Sequence, residues 1–388
     1  MKILFWLSIF MIIYHIGGYV LILWIINLFK QKEKKDVNKN NEKDQPSITV
    51  LCPAYNEVTV IEDKIRSFLD LDYPSDKIAM IVISDNSDDG TNEIVKKYAK
   101  NYSRIKLVIQ KPRKGKPSGH NLVEPTIKSE YVVSTDANSI FAKDSIAQLV
   151  KTARSEKNIG MVIGQLKLFS NGKDSGEGLY WKYENFLKTS ESKTYSIICA
   201  NGSLFLLKRE LFTQIHPSSV DDFERTLIVL ENKFTAKFNK NAIVIEDVSQ
   251  RPIEEMNRKI RIISREWFAL FRHIRLLNPI TNCRNSLFLI SHKLIRWLLP
   301  VWSGSVLLSN IFLINQNIYY KIFLALQVGL ILFGLIEVLL EKNNKSIKIL
   351  KLPAYILVMN YASAAALVKV LKGEQQTTWS TLRSKEET

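Results

Sequence analysis

Tyr131-Val-Val-Ser-Thr-Asp136-Ala-Asn138-Ser139 is the stretch whose reading decides the fold. A short, β-branched apolar run ends on a carboxylate, an amide and a hydroxyl. Such a run reads as a buried strand. In an open α/β sheet, ligands gather just beyond the C-terminal ends of the strands. Asp136 therefore stands where a metal-bound phosphate would be held. A strand-end cap is the alternative reading of the same residues.

Working outward, the chain alternates. Ile48–Cys52, Ile78–Ser84 and Ile105–Ile109 are strand candidates, and helical spacing fills Val58–Leu69 and Thr91–Ala99 between them. Downstream, Gly160–Leu168 reads as a strand. Helices are expected around Gly178–Ser192, Asp222–Glu231 and Glu254–Arg275. Strands recurring with intervening helices imply an α/β fold with a mostly parallel, doubly wound sheet.

Both ends of the chain are apolar. Ile3–Phe29 exceeds the ~20 residues a helix needs to cross a bilayer and lacks an Ala-x-Ala-type cleavage site. It reads as a retained transmembrane helix, with His15 and Gly17-Gly18 near its middle. The lysine-rich stretch that follows places that side in the cytoplasm and the N-terminus outside. Beyond Ser286, Leu287–Leu299 carries His292, Lys293 and Arg296, which suits an interfacial helix or the start of a span. Val301–Ile314 and Tyr319–Leu340 are spanning candidates. Pro353–Val370 is a weaker one, because it holds Asn360 and several small residues. The expected division is a transmembrane helix over 1–30, a basic linker over 31–46, a cytoplasmic α/β domain over 47–280, interfacial and transmembrane helices over 281–372, and a polar tail over 373–388. That makes a multi-pass protein of the cell membrane.

Composition agrees. The mean hydropathy of −0.03 is high for a chain that is 24% charged, as expected when greasy segments are joined to a polar domain. The net charge of +16 leaves phosphate substrates and anionic lipid open. Nucleic acid is set aside, because the basic residues are not interleaved with aromatics and many flank the spans. The three cysteines, Cys52, Cys199 and Cys283, show no metal-ligand spacing and read as free thiols of a cytoplasm-facing domain.

Polar clusters fall at strand ends and turns: Pro53-Ala-Tyr55-Asn-Glu57, Asp85-Asn-Ser-Asp-Asp-Gly90, the segment from Lys111 through Lys114-Gly-Lys116 to Asn121, and Asp136-Ala-Asn138. A nucleoside diphosphate needs such a set. Asp85 and Tyr55 could serve the base and ribose, by hydrogen bond and by stacking. Lys114 and Lys116 could face the diphosphate across Gly115, where backbone can approach closely. Asp136 and Asn138 offer hard oxygen donors to a divalent metal. The bland readings are an exposed charged hairpin for the lysine-rich loop and a simple turn with a helix cap for Asp88-Asp89-Gly90.

This set resembles the family 2 glycosyltransferases, inverting membrane enzymes with a GT-A fold that include cellulose, hyaluronan and chitin synthase-like proteins. Pro53-Ala-Tyr-Asn-Glu57 looks like the family's opening motif, and Ser84-Asp85 through Thr91 like its nucleotide-binding turn. Lys114-Gly-Lys116 through Asn121 looks like its Gly-Lys-x-x-Ala-Leu-Asn segment, with Gly119-His120 in place of Ala-Leu. Tyr180-Trp-Lys-Tyr-Glu184, Glu191-Ser192 and Ala200-Asn-Gly-Ser203 resemble its acceptor-side helix and strand. Val220-Asp221-Asp222 occupies the place of its Thr-Glu-Asp base motif. Two departures stand out. The usual Asp-x-Asp is Asp136-Ala-Asn138, and Gln-x-x-Arg-Trp is broken: Arg258 to Trp267 keeps Arg261, Arg265 and Trp267 but no Gln.

The resemblance implies a nucleoside-diphosphate sugar as donor, most simply a UDP-sugar. It implies a glycan or lipid-linked acceptor, a divalent metal (Mg or Mn) at Asp136 and Asn138, and Asp222 as the base. Asp221 is the alternative base; its other reading is a carboxylate at a helix N-terminus. Arg261, Arg265 and Trp267 read either as a lid over the diphosphate or as a basic face on anionic lipid. The broken Gln-x-x-Arg-Trp pattern favours one or a few additions over processive polymer synthesis with export. A non-catalytic membrane scaffold is the reading from another class, with Asn138 in its favour.

Overall fold

Nine strands form one sheet among the residues that the computed structural model describes, which are 1–29, 45–170, 173–174, 179–247, 252–343 and 345–375. Most of the basic linker and of the polar tail lies outside them. The strands are β1 (Ile48–Ala54), β2 (Ile78–Ser84), β3 (Ile105–Ile109), β4 (Tyr131–Thr135), β5 (Ile140–Phe141), β6 (Ile159–Ser170), β7 (Lys173–Asp174), β8 (Leu204–Lys208) and β9 (Thr235–Asp247). The helices are α1 (Lys2–Phe29), α2 (Ile61–Leu69), α3 (Thr91–Asn101), α4 (Lys116–Val123), α5 (Ser145–Ala153), α6 (Leu179–Thr194), α7 (Asp221–Glu231), α8 (Pro252–Arg272), α9 (Cys283–Trp297), α10 (Leu299–Leu313), α11 (Ile318–Lys342) and α12 (Lys351–Leu371). The chain divides into two units. Leu23–Ser249 and Phe268–Asn285 make one; Met1–Ile22, Gln250–Trp267 and Ser286–Gln375 make the other.

In the first unit the sheet runs β3-β2-β1-β4-β8-β6-β9-β5, with β7 on β6. Every residue of β1 and β4 is buried, as continuous apolar runs require when a sheet is covered on both faces. Alternate residues feed opposite cores. Val50, Cys52 and Val133 join Ile65, Phe68, Val95 and Leu149 of α2, α3 and α5. Leu51 and Val132 join Val123 of α4 and Val229 of α7. The helices α4 and α7 therefore share one face.

The sheet is mixed rather than mostly parallel. The pairs β1–β2, β2–β3, β1–β4 and β6–β9 are parallel. β8 runs antiparallel to β4 and β6. The cause lies in the chain path: β8 begins at the end of the sheet where β4 stops, with Leu204 opposite Thr135, so it can only run back. This brings the Ala200–Ser203 segment beside Asp136.

α1, which belongs to the second unit as far as Ile22, and within that unit the Ile318–Glu341 part of α11 and α12, are each long and apolar enough to cross a membrane. Two expectations change. Val301–Ile314 falls on α10, whose 15 residues are short for a span; α10 meets α9 at a 59° bend, where Pro300 stands in its first turn. Pro353–Val370, the weaker candidate, lies within full-length α12. Its Asn360 is provided for: Nδ2 donates to Ile356 O at 2.9 Å, and Oδ1 accepts from Ser303 Oγ at 3.4 Å. A polar group satisfied inside the helices costs little in lipid. Phe5 anchors this unit by edge contacts with Tyr320 and Phe323.

Candidate active site

The parallel strands deliver their C-terminal ends side by side, with Ala54 opposite Ser84 and Leu51 opposite Ser134. The loops beyond them are laced together. Asn56, in the left-handed region at φ 51°, donates through Nδ2 to Asp88 Oδ1 at 2.8 Å. Glu57 N donates to Thr91 Oγ1 at 2.9 Å, and Val58 N to Asp89 Oδ2 at 3.0 Å. Asp88 and Asp89 thus serve the turn, as the bland reading had it.

Asp85 is the hub of the next loop. It is buried, and its Oδ1 accepts from Gln110 Nε2, Lys114 N at 2.9 Å and Gly115 N at 3.2 Å. Arg113 Nε stands 3.4 Å from Oδ2, and its guanidinium lies 3.5 Å from the centre of the Tyr55 ring. Gly115 sits at φ 94°, which only glycine adopts without strain. Its N–H groups the loop around Asp85 and starts α4, whose first residue is Lys116.

Lys116, Asp136 and Asp222 converge on Gly202. Lys116 Nζ donates to Asp136 Oδ1 at 2.7 Å and approaches Gly202 O at 3.4 Å. A Cβ at Gly202 would lie 3.6 Å from Asp222 Oδ2, 3.6 Å from Lys116 Nζ and 3.7 Å from Asp136 Oδ2. Burial opposes the charge of Lys116, but the Asp136, Asp221 and Asp222 carboxylates outweigh it and raise its pKa. Lys116 stays a cation.

The turn carrying Asp136 is held from beneath by Lys64, a buried lysine on α2. Its Nζ donates to Thr135 Oγ1 at 2.8 Å and to Ser139 O, and lies 3.5 Å from the Phe141 ring centre. Burial pulls its pKa down to about 7. Thr135 Oγ1 in turn donates to Ser203 O at 2.8 Å, tying β4 to the glycine segment.

The two candidate bases differ. Asp221 is buried, 3.1 Å from His120 Nδ1 and 2.7 Å from Arg225 Nε. Burial would raise its pKa, but His120 and Arg225 prevail and hold it far below the usual carboxylate range. Asp222 is half-buried; its Oδ1 accepts from Phe223 N at 2.9 Å, and its Oδ2 faces the Gly202 space.

The other sequence candidates are placed as follows. Pro53 is buried within β1, opposite Ile83. Lys114 is exposed beside Gly115. Asn121 serves the backbone: Nδ2 donates to Ile215 O at 2.7 Å, and Oδ1 accepts from Ile215 N at 3.0 Å. Arg261, Arg265 and Trp267 belong to the other unit. There Trp267 packs on Trp297 at 4.9 Å between ring centres, and Arg265 and Trp267 are buried. Their neighbour Glu266 pairs with Lys293 at 2.7 Å. The side chains of Tyr180 and Trp181 lie outside the described residues. Lys64, Gln110, Arg113 and Gly202 escaped the sequence reading as site residues.

The donor set suits a divalent cation. Among the described residues no three His, Cys, Asp or Glu side chains form a metal cage. One or two carboxylates facing a shared space are nonetheless what a hard cation takes when phosphate and water complete its shell. Asp136 and Asp222 each turn an oxygen to such a space, and Asn138 lies half-buried in the turn after β4.

The family model "Glycosyl transferase family 2" matches residues 49–215, the segment that carries nearly all of β1 to β8 and the loops up to Ile215; β9 and the first turn of α7 lie beyond it. Residues 49–215 are a family 2 glycosyltransferase domain. Among curated relatives of this chain, "Probable glycosyltransferase YdaM" of Bacillus subtilis is 27% identical over 223 residues, 54% of this chain and 52% of that protein. Poly-beta-1,6-N-acetyl-D-glucosamine synthase of Staphylococcus epidermidis is 26% identical over 210 residues, 53% of this chain and 50% of that one. The chain spans about half the length of these relatives. A solved mannosyltransferase of Pyrobaculum calidifontis, in complex with GDP-Man and Mn2+, superposes with a TM-score of 0.72 over 96% of this chain and 99% of its own. At 23% identity that likeness establishes the GT-A fold alone.

Proposed function

We propose that this glycosyltransferase moves a sugar from a nucleoside-diphosphate sugar to a hydroxyl of a glycan or lipid-linked acceptor, with inversion at the anomeric carbon, as a multi-pass membrane protein whose catalytic domain is cytoplasmic. The observation that carries the reading is the convergence of Lys116, Asp136 and Asp222 on the space at Gly202. A cation beside a carboxylate suits a diphosphate leaving group and its counter-ion. A second carboxylate facing the same space suits a base. Asp222 takes the proton from the acceptor hydroxyl, whose oxygen attacks the anomeric carbon as the diphosphate departs. Asp221 does not serve as base, because His120 and Arg225 hold its charge in the interior.

The Tyr55 ring and the Arg113 guanidinium offer a flat surface to the base. Asp85 acts on the nucleotide by shaping the Lys114–Gly115 backbone. A divalent cation, Mg2+ or Mn2+, would be held by Asp136 with Asn138 and would neutralise charge on the leaving diphosphate. Release of nucleoside diphosphate from a panel of UDP- and GDP-sugars, with and without chelator, tests the reading. Metal-dependent release with one donor supports it; no release with any donor returns the scaffold reading. A processive polymer-exporting synthase is the second reading, favoured by the poly-N-acetylglucosamine synthase among the relatives. The length of the product distinguishes the two.

A further inference from the structure

Lys116 and His120 stand one helical turn apart on α4, so they share a face. Lys116 reaches Asp136. His120 points into the domain and meets Asp221, the first residue of α7, at 3.1 Å between Nδ1 and Oδ1. Arg225, one turn along α7, donates from Nε to the same Asp221 oxygen at 2.7 Å and from Nη1 to Thr213 O at 3.1 Å. Its guanidinium lies 3.8 Å from the centre of the Phe212 ring. His120 and Arg225 are fully buried, and Asp221 is 5% exposed.

Burial lowers the pKa of His120; facing an ionised carboxylate, which can only accept, Nδ1 carries the proton and donates. An ionised carboxylate in a protein interior is costly unless its donors are fixed. Here the donors come from two helices, α4 and α7. Rotating the first turn of α7 would break the His120 contact and swing Asp222 off the Gly202 space at the same time.

We propose that His120, acting through Asp221, is a positioning residue for the transfer step: it fixes the first turn of α7 and so aims the Asp222 carboxylate at the acceptor. The proposal rests on Asp222 being the base. His120 is buried and cannot touch substrate, so it holds the donor side and the acceptor side of the site in register from behind. Lys116 and His120, on one face of α4, do so from a single helix.

The test uses the full chain in detergent. His120→Leu lowers kcat at least about tenfold while donor KM and the affinity for nucleoside diphosphate stay within about twofold. His120→Asn, whose amide N–H can replace the Nδ1 donor, recovers most of the lost kcat. A merely structural role predicts something else: kcat and nucleotide affinity falling together, with no recovery in His120→Asn. That result overturns the proposal, as does wild-type kcat in His120→Leu. Should His120→Leu fail to fold, Asp221→Asn keeps the shape and carries the same expectation of lower kcat at unchanged nucleotide affinity. Asp222→Asn assayed alongside separates the two claims. If it retains turnover, the base assignment fails; if it is inactive and the His120 and Asp221 variants are normal, only the positioning role fails.

Discussion

Lys116 Nζ and Asp136 Oδ1 lie 2.7 Å apart, joining the start of α4 to the end of β4. The pair is partly open, with side chains 18% and 39% exposed, so it can meet a ligand. A diphosphate arriving there finds a cation already oriented by a carboxylate. Lys116→Met should raise the Kd for nucleoside diphosphate at least about tenfold, or ~1.4 kcal/mol, with the fold intact by circular dichroism. Unchanged affinity in calorimetry would remove Lys116 from the diphosphate site.

Gly202 leaves room where three charged groups meet. Its added Cβ would sit at 3.6–3.7 Å from them, in ordinary contact. Gly202→Ala should therefore fold normally and keep measurable turnover. Gly202→Val fills the same space with two further methyls and should cut kcat/KM by about a hundredfold, ~2.7 kcal/mol of transition-state binding, without lowering Tm. Equal activity of the alanine and valine variants would place the reacting atoms elsewhere.

Gly119 explains itself by packing. A Cβ there would come 2.8 Å from Ile83 Cγ2, against a buried strand. Gly119→Ala should destabilise the domain by about 1–3 kcal/mol through overpacking, despite the helix propensity it gains. A rise in Tm would contradict the close approach of α4 to β2.

Much of the catalytic domain was legible in the sequence. β1 to β4 announce themselves as β-branched apolar runs, and the polar residues after β1, β2 and β4 lie at their C-terminal ends as an α/β sheet demands. β8 and β9 were not read. β9 carries Lys237, Asn239, Lys240 and Asn241 amid its apolar positions, and its pairing with β6 slips register between Gly164 and Gln165, so no clean alternation survives. The parts beneath the site were illegible for a different reason. Lys64 meets Thr135 from 71 residues away, and His120 meets Asp221 from 101; spacing along the chain carries no trace of such contacts. Arg113 and Gln110 were within reach, since the first lies inside the lysine-rich loop quoted for its charge and the second directly precedes it.

Glu224, on the helix of the proposed base, ties α7 to the end of α8. Arg272 Nη2 donates to its Oε2 at 2.6 Å, and His273 Nε2 stands 3.6 Å from its Oε1, with His273 Nδ1 2.8 Å from Glu231. Burial would raise the Glu224 pKa, but the hydrogen bonds from His273, Arg272 and Ser219 bring it down to about 2. Burial would lower that of His273, but the bonds to Glu224 and Glu231 raise it. The signs follow. The Glu224 contribution to stability is present above an unfolded pKa of about 4.3 and is lost as pH falls toward about 2. The His273 contribution is present below about pH 6.5 and is lost as pH rises through its raised value. The stability lost in His273→Ala should shrink as pH goes from 6 to 9, roughly a pH range set by ordinary histidine titration. A loss that stays constant in denaturant titrations across that range would contradict the ionic account.

The base assignment is tested most directly by Asp222→Asn, measured in one preparation for nucleoside-diphosphate release in the presence of acceptor and for donor affinity by calorimetry. We expect turnover to fall by about 10²- to 10⁴-fold with donor Kd within about threefold of the parent. Transfer at the parent rate, or affinity lost in step with turnover, would contradict the arrangement of Lys116, Asp136 and Asp222 as one site with Asp222 as its base.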